Sequence, residues 1–180
     1  YVFDVVAGST RFTRSTDGPV WSVAIDDEGQ YVAGAGEDGV HVWDIEDGDS
    51  VADIDAHTGT VLDVAFRPGS GGRELVTASQ DQTSVHWHLN ERIPVGAQPP
   101  APAPGPREEG LENAVPDRRD TYRTDAASWF SLAISADGQR LALGRADGDV
   151  ILQDLEGGGA EQEEIELHSD AVYDIGFSPE

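Results

Sequence analysis

Three residues of this chain, His57, Thr77 and Asp81, have the side chains of a nucleophilic triad: a base, a hydroxyl and an orienting carboxylate. Trp87 follows them, and an indole N–H completes a buried hydrogen-bonded set more naturally than it assists hydrolysis. The four therefore read as scaffolding. His86 and His88, two apart on one face of a strand, have a spacing that metal ligands sometimes use. No third ligand can be named beside them, so they read as a packed polar pair. Asp147-Gly148-Asp149 lacks the spacing of a calcium loop and reads as a tight turn. There is no Gly-x-Ser-x-Gly elbow, phosphate-binding loop or dinucleotide fingerprint. The chain has no Cys, which removes thiol nucleophiles, disulfides and Cys-type zinc sites together. No catalytic residue, metal ligand or cofactor is expected.

These residues are positioned by a repeat. Val20-Trp21-Ser22-Val23-Ala24-Ile25 is followed by an acidic turn ending at Gly29, then Tyr31-Val32-Ala33-Gly34-Ala35, Glu37-Asp38-Gly39 and Val40-His41-Val42-Trp43-Asp44. The same order returns from Val61, from Trp129 and, shortened, from Val172. The spacings Val20–Val61 and Trp129–Val172 are 41 and 43 residues, within the roughly 40–45 that mark four-stranded propeller blades. Runs of alternating apolar residues separated by Asp-Gly and Glu-Gly turns are strand and hairpin signals, and no helical stripe appears. The expected fold is all-β: a β-propeller of four-stranded antiparallel blades, about three of them complete, with partial blades at both ends.

Residues 1–15 read as the last two strands of a preceding blade, 16–56, 57–124 and 125–167 as blades, and 168–180 as the start of another, all in one propeller domain. The second blade carries an insertion over 90–118, where seven Pro residues from Pro94 to Pro116 cannot hold a sheet ladder. Its last strand is expected to resume near Arg119–Thr124. Within the insertion, Pro99-Pro100-Ala101-Pro102 has the spacing of a polyproline ligand, against the plainer reading of a solvated loop. The chain has no Met, opens inside a strand-like run and stops at the turn Ser178-Pro179-Glu180, so it reads as part of a longer protein.

Net charge is −24, from 21 Asp and 14 Glu against 11 basic residues, every one of them Arg. Such a surface repels nucleic acid and anionic membranes, so neither is an expected partner. An acidic chain without Lys is the composition of adaptation to concentrated salt, where self-repulsion is screened within a few ångströms. No apolar stretch reaches the roughly 20 residues of a membrane span and no signal peptide is visible; a cytoplasmic location is the default expectation.

With the blades laid out, the chain resembles the WD40-repeat β-propellers over 16–180. The resemblance is most specific in the second blade, where His57 stands four residues before Val61, Thr77 lies in the second strand, Asp81 follows it and Trp87 ends the third. It implies a buried tetrad in which Asp binds His, His binds the hydroxyl and the hydroxyl binds the Trp N–H. The other blades depart from it: Thr16 replaces His in the first, while Asp125, Leu143, Asp147 and Gln153 stand at the four positions in the third. The family also implies seven blades in an intact ring, and a non-catalytic scaffold or sensor module that binds a protein or peptide. Its rim positions map onto Trp21, Leu62, Phe130 and Tyr173, one per blade, with Glu37, Gln80 and Ala146 before the second hairpins. Aromatic residues there suit interface anchors, and acids around them suit a partner with basic residues. The alternative is that the four large residues pack between neighbouring first strands. Rival functions are a quinone-cofactor propeller enzyme, whose repeats use a different Trp and Gly arrangement, and the regulatory arm of a larger enzyme.

Overall fold

The computed structural model describes residues 2–89, 117–123, 127–155, 162–166 and 168–178. Three four-stranded antiparallel sheets follow one another along the chain. Blade one comprises β3 (Val20–Ile25), β4 (Tyr31–Gly36), β5 (Gly39–Asp44) and β6 (Ser50–Ile54). Blade two comprises β7 (Val61–Phe66), β8 (Glu74–Ser79), β9 (Thr83–His88) and β10 (Asp117–Arg123). Blade three comprises β11 (Trp129–Ile134), β12 (Arg140–Arg145), β13 (Asp149–Asp154) and β14 (Gln162–Glu166). Ahead of them, β1 (Val2–Asp4) and β2 (Ser9–Phe12) form a two-stranded sheet.

The period of two sends alternate residues of each strand to opposite faces, and in blade two both faces find an apolar neighbour. Between blades one and two, Ala33, Val40 and Val42 pack with Val64, Leu75 and Trp87. Between blades two and three, Val76 and Ala78 pack with Trp129, Leu132 and Leu143. On β8, Leu75 thus faces one blade and Val76 the other. The small residues Ala33, Gly34 and Ala35 in β4 let the sheets approach closely. The sheets form an open arc. Val23 and Ile25 on β3 are 70% and 60% exposed, while their equivalents Val64 and Phe66 are buried by blade one.

Hairpins form where the turn chemistry allows. Gly29 and Gly138 at the first hairpins and Gly39 and Gly148 at the second all take positive φ, between 69° and 102°, which L side chains avoid. Blade two places Gln82 at this second hairpin, the one non-glycine residue with positive φ among the described residues, at 68°.

Two expectations need correction. β10 begins at Asp117, so strand structure starts before Arg119 and before the far end of the expected 90–118 insertion. Its sequence, Asp-Arg-Arg-Asp-Thr-Tyr-Arg, has no apolar alternation to mark a start, and pairing with β9 defines the strand instead. Val172–Phe177, expected as a strand, pairs into no ladder among the described residues. The segment docks on blade three through the Val172 amide, which donates to the Arg145 carbonyl at 2.9 Å. The motif Pro99–Pro102, the bulk of the insertion and Asp125 lie outside the described residues.

Candidate functional site

Blade two brings His57, Thr77, Asp81 and Trp87 together. The His57 Nδ1 lies 3.0 Å from Asp81 Oδ2, and its Nε2 lies 2.7 Å from Thr77 Oγ1. Trp87 Nε1–H donates to the same Thr77 oxygen at 3.0 Å. One proton placement serves the whole chain of bonds: Nδ1–H to the carboxylate, Thr77 O–H to Nε2, indole N–H to Thr77. Asp81 also accepts the Thr58 and Thr83 amides and the Thr83 hydroxyl, which ties the loop before β7 to the β8–β9 hairpin. Burial raises the Asp81 pKa, but the Thr83 hydroxyl, the Thr58 amide and His57 outweigh it and hold the carboxyl below 3.8. A nucleophile must meet substrate, and Thr77 is fully buried with its oxygen already occupied. The arrangement can fasten; it cannot attack.

Blades one and three fill the equivalent positions differently. In register, Gly34 corresponds to Thr77 and Trp43 to Trp87. A Cβ on Gly34 would lie 3.3 Å from the Trp43 ring, so the indole occupies the space the threonine would need. Asp38 keeps the latch, accepting the Asp17 amide at 2.8 Å as Asp81 accepts Thr58. In blade three, Leu143 and Gln153 stand at the Thr and Trp positions. There Arg145 is 7% exposed and carries the polar interior. Its guanidinium pairs with Asp147, with Glu164 at 2.5 Å and with Asp149 at 3.7 Å.

The pair His86 and His88 has a partner that sequence reading missed. Glu74 lies 3.0 Å from His86 Nε2 and 3.6 Å from His88 Nδ1, and it also receives Arg67 at 2.9 Å. Among the described residues no group of three or more His, Asp or Glu has an arrangement that could hold a metal ion.

The rim positions converge at one end of the sheets. Glu37, Gln80 and Ala146 donate their amides to Pro19, Thr60 and Ser128, the residues just before β3, β7 and β11. Trp21, Leu62 and Phe130 are each the second residue of those strands, and each falls where the pairing register shifts at a bulge. A bulge re-aims one side chain out of the pleat. Trp21 is 60% and Tyr173 78% exposed. Phe130 and Tyr173 stack at 5.4 Å between centroids, 20° apart. Trp21 has no aromatic partner among the described residues. The row thus holds a stacked aromatic pair and, at Trp21, a largely exposed indole.

Sequence reading also missed a hydrogen-bonded path across the first strands. Ser22 Oγ–H donates to Asp63 Oδ1 at 2.7 Å, and Asp63 Oδ2 accepts the Leu132 amide at 2.8 Å. Ser131 Oγ–H continues it to the Val172 carbonyl at 2.9 Å. The signal was present: Ser22, Asp63, Ser131 and Asp174 are the third residue of each repeat.

Successive antiparallel four-stranded sheets packed face to face define a β-propeller. More particularly, the model of the WD40-repeat family, described as WD domain, G-beta repeat, matches residues 8–44 and 48–88, blade one and the first three strands of blade two. Among solved structures the chain is similar to the beta-propeller domain of Cps50 (Swd1) from Myceliophteria thermophila, with a TM-score of 0.70 and 14% identity. That likeness, one of fold, covers 94% of this chain and 48% of the other, so the chain spans about half that propeller's length. No curated protein matches the sequence.

Proposed function

We propose that this chain is a non-catalytic interaction platform, with the end of the sheets bearing Trp21, Leu62, Phe130 and Tyr173 as its binding rim. WD40 propellers commonly serve as interaction scaffolds, and the observation that carries the reading here is the exposed Trp21 beside the Phe130–Tyr173 stack. Exposed aromatics at a sheet end are the residue types that anchor partners. Glu37 and Gln80 are exposed at the same end. In a chain of net charge −24 the matching partner is a protein or peptide with an apolar anchor flanked by Arg or Lys, not nucleic acid or a membrane surface. The Lys-free acidic composition supports a protein built for concentrated salt. Salt then screens both the self-repulsion and the attraction to a basic partner, leaving the aromatic anchors as the main source of affinity.

The test is a displayed peptide library of apolar anchors with and without flanking Arg or Lys, panned against the full-length protein, Trp21→Ala and Phe130→Ala. The reading expects flanked peptides to be captured and both variants to lose capture with near-normal melting. Full capture by the double variant, or a large fall in melting temperature in both, would retire it.

A further inference from the structure

Blade one rebuilds the Asp–His contact of blade two from a different place in the sequence. In blade two the histidine comes from the loop before the first strand. Blade one has Thr16 in that loop, and its hydroxyl turns to the Gly18 carbonyl at 2.8 Å. Asp38 meets a histidine all the same: His41 of β5, whose Nε2 lies 3.2 Å from Asp38 Oδ2, an ion-pair contact rather than an aligned hydrogen bond. The other ring nitrogen, Nδ1, lies 2.7 Å from Asp53 Oδ1 on β6. The ring stacks on Trp43 at 5.7 Å. Blade two has Val85 at this register position, so the second carboxylate contact has no counterpart there. An imidazole with a carboxylate at each nitrogen serves both only when both nitrogens carry protons.

We propose that protonated His41 is a pH-sensitive fastener: it bridges Asp38 to Asp53 and so keeps Asp38 on the Asp17 amide, pinning the 13–19 strap between β2 and β3 to blade one. Neutral His41 keeps its one proton on Nδ1 toward Asp53 and turns a lone pair toward Asp38, which loosens the strap. The charged groups facing the ring are both acids, Asp38 from the β4–β5 hairpin and Asp53 from β6, while β4 presents Gly34. Ser50 Oγ–H holds the second Asp53 oxygen at 3.3 Å. Burial works against the charged ring, but hydrogen bonding and charge from Asp53 and Asp38 outweigh it and leave the His41 pKa above 6.5. The sign follows: the contribution to stability is fully present below 6.5, the unfolded value, and is lost as pH rises through the raised folded value. The strap leads directly into Val20 and Trp21, although the fastener does not depend on what the rim binds.

The experiment follows imidazole nitrogen signals and amide exchange in the full-length protein from about pH 5 to about pH 9. His41 is expected to carry protons on both nitrogens up to a midpoint above 6.5. As pH rises through that midpoint, Asp17 exchange, corrected for its intrinsic rate, should accelerate several-fold while Thr58 exchange does not. His41→Gln should abolish the step, and Asp53→Asn should lower its midpoint. Asp17 protection that is flat with pH, or a step that survives His41→Gln, overturns the proposal. If His41→Gln does not fold, an unchanged midpoint in Asp53→Asn overturns it.

Discussion

Blades two and three share strand order, hairpin position and register, yet they solve the same interior problem with different chemistry. In blade two Asp81 anchors a continuous set of hydrogen bonds through His57 and Thr77 to Trp87. In blade three the equivalent acid, Asp147, belongs instead to an ion cluster around Arg145, which stands where blade two has Ser79. The network of blade two leaves each of its polar atoms paired. The cluster of blade three sets one cation against three acids, Asp147, Asp149 and Glu164. Burial and then the Asp147 charge raise the Asp149 pKa, a sign that the acids are not fully neutralised. Strand pairing and apolar alternation make a blade. The polar interior is an interchangeable fastening, and the choice of fastening decides how each blade answers salt and pH.

That contrast can be broken or sharpened by mutation. The largest effect is expected from Asp81→Ala, which removes the carboxylate that accepts from His57, the Thr83 hydroxyl and two backbone amides; it should cost about 2–4 kcal/mol in denaturant melts. This loss should hardly vary with salt. It should shrink in acid, because a carboxyl held below 3.8 gives stability that is present above that value and lost as pH falls through the folded pKa. Arg145→Met should cost less, about 1–3 kcal/mol, since its acidic partners are partly exposed. Its cost should fall as salt is added, even while salt raises the melting temperature of the whole acidic protein. Equal salt dependence of the two variants would erase the distinction between the blades. Asp149→Asn should raise the melting temperature slightly at neutral pH, by removing a carboxylate that its surroundings disfavour, and the gain should vanish as pH falls and Asp149 protonates. The smallest effect is Gln82→Gly, which relieves a side chain at φ 68° and should add roughly 0.5–1 kcal/mol in the same melts.

Much of this was legible in the residues. Alternation and Asp-Gly turns mark the strands of Val20–Asp44 and Trp129–Asp154 because apolar residues recur with a period of two along each strand and each hairpin demands positive φ. The blade-two set was legible because all four residue types stand at their offsets. The bulges at Trp21, Leu62 and Phe130 were not, since register shifts arise from pairing between strands and leave no local mark. Nor was the role of Arg145. Its partner Glu164 lies 19 residues away in an acid-rich strand, where no single Glu stands out. A clue existed in the run Leu141-Ala142-Leu143-Gly144-Arg145, whose one charge ends an otherwise buried strand. His41 was passed over because the expected position for a histidine was the loop, and Thr16 occupied it.

The central claim is that fastening and binding belong to different residues: blade interiors hold the fold, and the aromatic rim holds the partner. The most direct test measures melting temperature and affinity per folded molecule, for one captured basic peptide, in His57→Ala and in the double variant of Trp21→Ala with Phe130→Ala. The account predicts a crossed result. His57→Ala should lose about 1–3 kcal/mol of stability and bind normally once folded, while the rim variant melts near the parent and loses the peptide. A His57→Ala protein that is fully stable but unable to bind, or a rim variant that binds as the parent does, would contradict it.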